Sequence, residues 1–261
     1  MAEHTYLPPL DKLLTYGDCR KIRHFPNYVE ELGLKPEHIP ELIRMATDPE
    51  LNWADSDSLE VWAPVHAWRS LGQLKAEAAI EPLLSVAEEL EDSDWFNEEL
   101  PEVFAMIGPA AIPATKDFLA DSSHSLYPRV TAANCLVKIA ETHSEARDEC
   151  VAVITQQLDQ FIKNNPALNG FLIADLLELK AVESAPTIER AFAAKRVELD
   201  IAGDWLDVQI GLGLKTPAEV RQIRNTVDAE HLAAKAFRPV AEPARGFGSS
   251  QNKSVKKSKK K

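Results

Sequence analysis

Apolar residues recur at offsets of three and four along most of this chain, and the stripes they form come in pairs. Leu42, Ile43 and Ala46 follow a first short segment from Pro26 to Leu34. Trp62, Val65, Trp68 and Leu71 run to Gly72, and the pattern restarts at Lys75 with Ile80, Leu83, Leu84 and Ala87. Leu100, Val103, Phe104 and Ile107 precede Gly108-Pro109, with Ile112, Phe118 and Leu119 beyond it. Ala132, Leu136, Ile139 and Ala140 are paired with Val151, Ile154, Leu158 and Phe161, and Phe171, Ile173, Leu176, Leu177 and Leu179 with Ile188, Ala191 and Phe192. Each set is one face of a helix. The chain therefore reads as five helical hairpins.

The hairpins repeat. Ala110-Ala111-Ile112-Pro113 restates Ala78-Ala79-Ile80-Glu81-Pro82 at a distance of 32 residues. Two helices in such an interval mark an α-solenoid. Pro40, Pro82, Pro113 and Pro186 stand near the starts of four second helices. A proline is tolerated in the first turn, where its missing N–H would have no helical partner. In the fourth unit Ser144 is expected to be the N-cap, with Glu145 in the first turn. After Lys195 the spacing fades, and Thr216-Pro217-Ala218-Glu219 reads as a capping box opening a last helix to about Lys235. Such an atypical unit would cover the open end of the array. Residues 1–237 are thus expected to form the solenoid and 238–261 a disordered, lysine-rich tail.

The run Leu71-Gly72-Gln73-Leu74-Lys75-Ala76-Glu77-Ala78-Ala79-Ile80-Glu81-Pro82, echoed by Ile107 to Ala114, resembles a HEAT-like repeat of the phycobilisome-lyase type over about residues 35–195. Val65-His66-Ala67-Trp68-Arg69-Ser70-Leu71-Gly72 and Ala202-Gly203-Asp204-Trp205-Leu206-Asp207-Val208-Gln209 are similar to a bacterial family of unknown function. The first resemblance implies an all-α superhelix and, at most, a lyase-like activity on a chromophore or nucleotide, since lyases of that group attach bilins to cysteines of client proteins. The second implies the fold and no assigned chemistry.

Composition narrows the function classes. Glycines number ten in 261 residues, few for an all-β or Rossmann-like protein. The formal net charge is −12, yet the last nine residues hold six lysines and no acid, so the chain before them carries −18. An acidic body repels phosphate backbones, which leaves the lysine tail as the route to RNA, the ribosome or an anionic membrane. Cys19, Cys135 and Cys150 make neither a disulfide framework nor a zinc ribbon. With no secretory segment and no bilayer-length apolar run, a cytoplasmic location is expected. No cofactor is expected either, because Gly211-Leu212-Gly213-Leu214 lacks the strand and the third glycine of a phosphate loop.

Several residues remain as candidates. Trp62, His66 and Arg69 lie within two helical turns and could share a face, which reads either as a partner-binding surface or as a hydrogen-bonded core histidine with its neighbours. Asp94, Trp95 and Glu98 sit in the acidic stretch from Glu88 to Glu99, where an aromatic ring beside carboxylates can receive a cation or a partner side chain. The pair Asp94-Trp95 recurs as Asp204-Trp205, with a looser echo at Asn52-Trp53. Either loops on one edge present Trp and Asp together, or each Trp closes a repeat core while Asp caps the next helix. His143, Glu145, Asp148 and Cys150 are close in sequence, but helical geometry aims Cys150 away from the others. The function expected is a non-enzymatic scaffold that offers an acidic concave face, built from second helices, to a basic protein or peptide. Glu41, Arg44, Glu81, Lys116, Glu189 and Arg190 are the polar positions proposed for it.

Overall fold

The computed structural model describes residues 6–22 and 25–236, so the tail expected from residue 238 lies outside the described residues. These fall into two units, one running to Pro217 and one beginning at Ala218. The first contains α1 (Tyr28–Leu32), α2 (Ile39–Ala46), α3 (Pro49–Asn52), α4 (Ala63–Gln73), α5 (Ile80–Ser85), α6 (Asp94–Ile107) and α7 (Ile112–Ala120). It continues with α8 (Leu126–Thr142), α9 (Arg147–Leu158), α10 (Pro166–Glu178), α11 (Ala185–Ala193), α12 (Leu199–Ala202) and α13 (Trp205–Gly211). No strand occurs among the described residues. The second unit is the helix α14 (Pro217–Ala236), close to the span expected from its capping box.

The first unit is an α-solenoid. First helices α4, α6, α8 and α10 stack each on the next, and second helices α5, α7, α9 and α11 form a parallel layer of their own. The array ends in the short pair α12 and α13, which pack against α10 and α11 and continue both layers. The apolar stripes read from the sequence are the surfaces between these layers: Leu71, Leu83, Phe104, Ile112, Leu119, Leu136, Ile154, Leu172 and Ile188 are all buried. Stacking in this way leaves each helix contacting near neighbours in the sequence, so the core is continuous without being globular.

Every second helix is entered through a three-residue 3-10 turn: Pro36–His38, Glu77–Ala79, Pro109–Ala111, Ser144–Ala146 and Val182–Ser184. Ser144 consequently opens a turn and makes no side-chain cap, because the following α-helix starts only at Arg147. Pro40, Pro113 and Pro186 occupy the first two positions of α2, α7 and α11, as the missing N–H allows. Between first and second helix the chain must reverse within a few residues. Lys75 and Lys180 do this in the left-handed region, at φ 51° each, and Ala76 and Ala181 then donate back to Leu71 O and Leu176 O.

Neighbouring units lock onto one another by small contacts. A Cβ on Gly72 would lie 2.6 Å from the terminal methyl of Met106, so α4 and α6 approach closely there and a larger residue would require the methionine to move. Gly108, at φ +99°, turns the chain after α6 beneath His143, whose Nε2 donates to Ala105 O at 2.8 Å. Trp68 Nε1 donates to Ala46 O, closing the end of α2 from the next unit. Asn97 of α6 donates to Glu91 O and accepts from Thr131 of α8. These bonds satisfy carbonyls that helix ends leave open.

Candidate functional site

Helix α4 and the turn leading into it bring Trp62, His66 and Arg69 together, but inward. The segment from Tyr6 to Lys21, to which the sequence reading assigned no structure, lies over this helix and supplies the reason. His66 is fully buried. Its Nε2 lies 2.7 Å from Gly17 O, an acceptor only, so Nε2 carries the proton; Nδ1 then accepts from the Tyr28 hydroxyl at 2.7 Å. Burial pushes the His66 pKa below its ordinary value, and the neighbouring Arg69 adds to this against the Gly17 bond, so the ring is neutral at pH 7. A neutral histidine with both nitrogens engaged is a strut. It is not the surface group the sequence allowed.

Arg69 forms a nearly buried, bidentate pair with Glu99 of α6, its Nε donating to Oε2 at 2.9 Å and its Nη2 to Oε1. Burial works against the Arg69 charge, yet Glu99 and the Tyr28 hydroxyl more than offset it, and its pKa is raised. Phe25 stacks on the guanidinium at 4.7 Å. Trp62 is buried as well, edge-on to Trp95 at 5.2 Å, with Arg20 held 4.8 Å from its ring centroid. Arg20 is in turn fixed by both carboxylate oxygens of Asp18. Cys19 is buried in the same cluster, its pKa raised to about 11 by burial, which makes it a poor nucleophile. Tyr28, pushed up to about 12 by burial, is no acid at neutral pH.

The remaining predicted residues divide. Asp94 and Glu98 are exposed on the first turns of α6, while Trp95 between them is half-buried against Trp62. The cap of α6 is Ser93, which accepts from Phe96 N, and Asp94 is the first helical residue. Asp204 does cap α13, accepting from Asp207 N, and Trp205 packs 6.1 Å from Phe192. The recurrence of Asp-Trp thus marks the closing of hairpin cores, and the two pairs lie at different hairpins and are not brought together. Within the acidic run Glu88 has a structural task, accepting from Ser125 N and from His124 at the start of α8. Cys150, buried on α9, has its pKa raised to about 11, and that of Cys135 is raised well above the ordinary thiol value; burial is the cause in both. Among the described residues no three His, Cys, Asp or Glu side chains gather as a metal site.

What the sequence could not place is the outer face of the second-helix layer, where two grooves flank α9. Glu41, Arg44, Glu81, Lys116, Glu189 and Arg190 all point outward on that layer. The groove between α9 and α11, about 660 Å³, is walled by Asp148, Asp159 and Glu183 with Thr155, Thr187 and Arg190. Arg147 pairs with Asp148 and Glu183, and Arg190 with Asp159. Three carboxylates therefore meet two guanidinia, while Glu149 on α9 and Glu189 on α11 have no ion-pair partner among the described residues. Neither lines the groove, since each is turned about 100° from the adjacent residue that does. The second groove, between α7 and α9, has the opposite character and contains no acid. Periodicity could locate these helices, but not which loops would converge between them.

No single helix among the described residues is long and apolar enough to cross a membrane. The chain matches no curated protein and no solved structure. Residues 28–231, the whole hairpin array from α1 into α14, match the model of a protein family of unknown function, DUF1186, and the chain belongs to that family.

Proposed function

We propose that this protein is a non-enzymatic adaptor, a HEAT-like array of the cytoplasm that holds a basic segment of another protein along its second-helix layer. The observations that support this reading are the acid-walled groove between α9 and α11 and, outside its lining, exposed carboxylates without ion-pair partners among the described residues at Glu149, Glu189, Glu81 and Asp117 on the second helices. One unpaired acid on each of four successive second helices gives an extended chain several places at which to set a lysine or arginine. Such recognition acts chiefly through long-range steering and the exclusion of wrong partners. On α4, by contrast, the polar groups of His66 and Arg69 are consumed by contacts within the protein, so the candidate residues there offer no activated nucleophile or acid–base pair to support a lyase.

The test is binding of a labelled ten-residue Lys/Arg peptide, followed by fluorescence anisotropy, at about 0.05 M and about 0.5 M salt. Affinity should fall steeply between the two, and Glu149→Gln with Glu189→Gln should weaken the low-salt complex several-fold. Binding that persists unchanged at high salt, or that ignores the two substitutions, overturns the reading.

A further inference from the structure

The groove between α7 and α9 is lined by side chains that the acidic body gives no reason to expect. Lys116 comes from α7, Arg129 from α8, and Lys163 from the loop after α9, with Ser122, Gln156 and Gln160 between them. None of the three cations has an ion-pair partner among the described residues. Arg20, Arg44, Arg69, Arg147, Arg190 and Lys138 are each bound to a carboxylate, whereas Lys75, Lys180, Lys195 and Arg196 lack one among the described residues but are not gathered in one groove as these three are.

Arg129 is the decisive residue. The residue is 7% exposed, and its side chain makes one hydrogen bond, from Nε to Leu119 O at 2.9 Å, which closes the end of α7. A guanidinium carries five N–H donors. Four are left without an acceptor among the described residues, they are not sealed from solvent, and the residue lines the groove. Asp121, the nearest carboxylate to influence Arg129, is turned to Ser123 N and makes no ion pair with it. Burial lowers the Arg129 pKa from its ordinary value, and Asp121 only partly opposes this. Even so, arginine keeps its proton in proteins, so the charge cannot be discarded and has to be met by something else.

We propose that this groove is a binding site for a small phosphomonoester, with Arg129 as the fork on the phosphate and Lys116 and Lys163 as flanking charges. Three cations with no acid among the lining residues match a dianion better than a carboxylate, and the free face of the guanidinium can engage two oxygens at once. The volume of about 400 Å³ suits a small organic molecule, for whose body Leu119, Ala120 and Val153 provide an apolar wall and the glutamines provide amides. This goes beyond adaptor binding in the neighbouring groove and does not depend on it.

The test is calorimetric titration of the full chain with inorganic phosphate and with ribose 5-phosphate, against ribose and against chloride at matched ionic strength. Saturable one-to-one binding of both phosphates is expected, with none for ribose. Lys116→Met and Lys163→Met should each weaken it about tenfold, the scale of one hydrogen bond to a charged group. Both lysines are exposed and without partners, so these variants keep the fold, and circular dichroism checks that they do. Arg129→Met should abolish binding. Heats no different from chloride, affinity unchanged in the double lysine variant, or binding of a phosphoserine peptide in preference to ribose 5-phosphate would each overturn the proposal.

Discussion

Arg69 and Arg129 are both arginines on first helices, both largely withdrawn from water, and they have been treated oppositely. Arg69 is enclosed by Glu99, Tyr28 and Phe25, so its donors and charge are met within the protein. Arg129 has a single carbonyl to bond and an acid-free groove in front of it. The difference separates two uses of a buried charge. One that is fully partnered fixes the register of two stacked units, whereas one left incomplete within reach of solvent is set for a ligand.

Removing Arg69 should therefore have the largest effect. Arg69→Met leaves Glu99 buried and alone between α4 and α6, at a cost of about 3–5 kcal/mol. Urea unfolding should show the loss in full, and Arg69→Met combined with Glu99→Leu should recover most of it. A single substitution costing under about 1 kcal/mol would show that water already reaches the pair.

Arg129→Met is the matching experiment, and its cost should be smaller, about 1–2 kcal/mol. What is lost is one bond to the end of α7, and no carboxylate is stranded. Saturating phosphate should widen the gap by stabilising only the parent protein, because a ligand of the folded state adds RT ln(1 + [L]/Kd). If the two arginine variants were equally destabilised without ligand, the distinction between them would fall.

Much of the scaffold around these residues was legible in the sequence, and the reasons are physical. Offsets of three and four at Leu100, Val103, Phe104 and Ile107 reflect burial on one side of α6, and the 32-residue echo reflects stacked copies of one unit. Helix α14 followed from four residues. His66 was harder, because its burial depends on Tyr16, Gly17 and Tyr28, tens of residues away and without periodicity. Asp94 looked like a cap because it precedes Trp95, but Ser93 one residue earlier satisfies the same N–H. Arg129 gave no signal at all. Its neighbours Lys116 and Lys163 come from separate hairpins, and only the turn lengths after α7 and α9 bring them to one groove.

Asp175 on α10 supplies a third answer to the same problem and the smallest of the expected effects. It is buried, and its Oδ2 has no hydrogen-bond partner. Unlike arginine, a carboxylic acid can surrender its charge. Burial first, and Glu178 second, raise the Asp175 pKa well above the ordinary carboxylate value, so the folded protein holds the acid in its neutral form. The unfolded chain ionises from about pH 4 upward. Between that pH and the raised folded value the unfolded state binds fewer protons, and stability must fall as pH rises. Asp175→Asn removes the titration. Its advantage over the parent should be absent near pH 3, should open above pH 4, and should reach about 1 kcal/mol at pH 7, the low end of the scale for an unmet buried polar group. The amide brings a donor of its own to satisfy, which shifts the two curves by a constant and leaves their divergence intact. Denaturant midpoints at pH 3, 5 and 7 read that divergence directly. Parallel curves would mean that Asp175 stays ionised in the folded protein, and that α10 tolerates an unpaired charge which burial at this position should forbid.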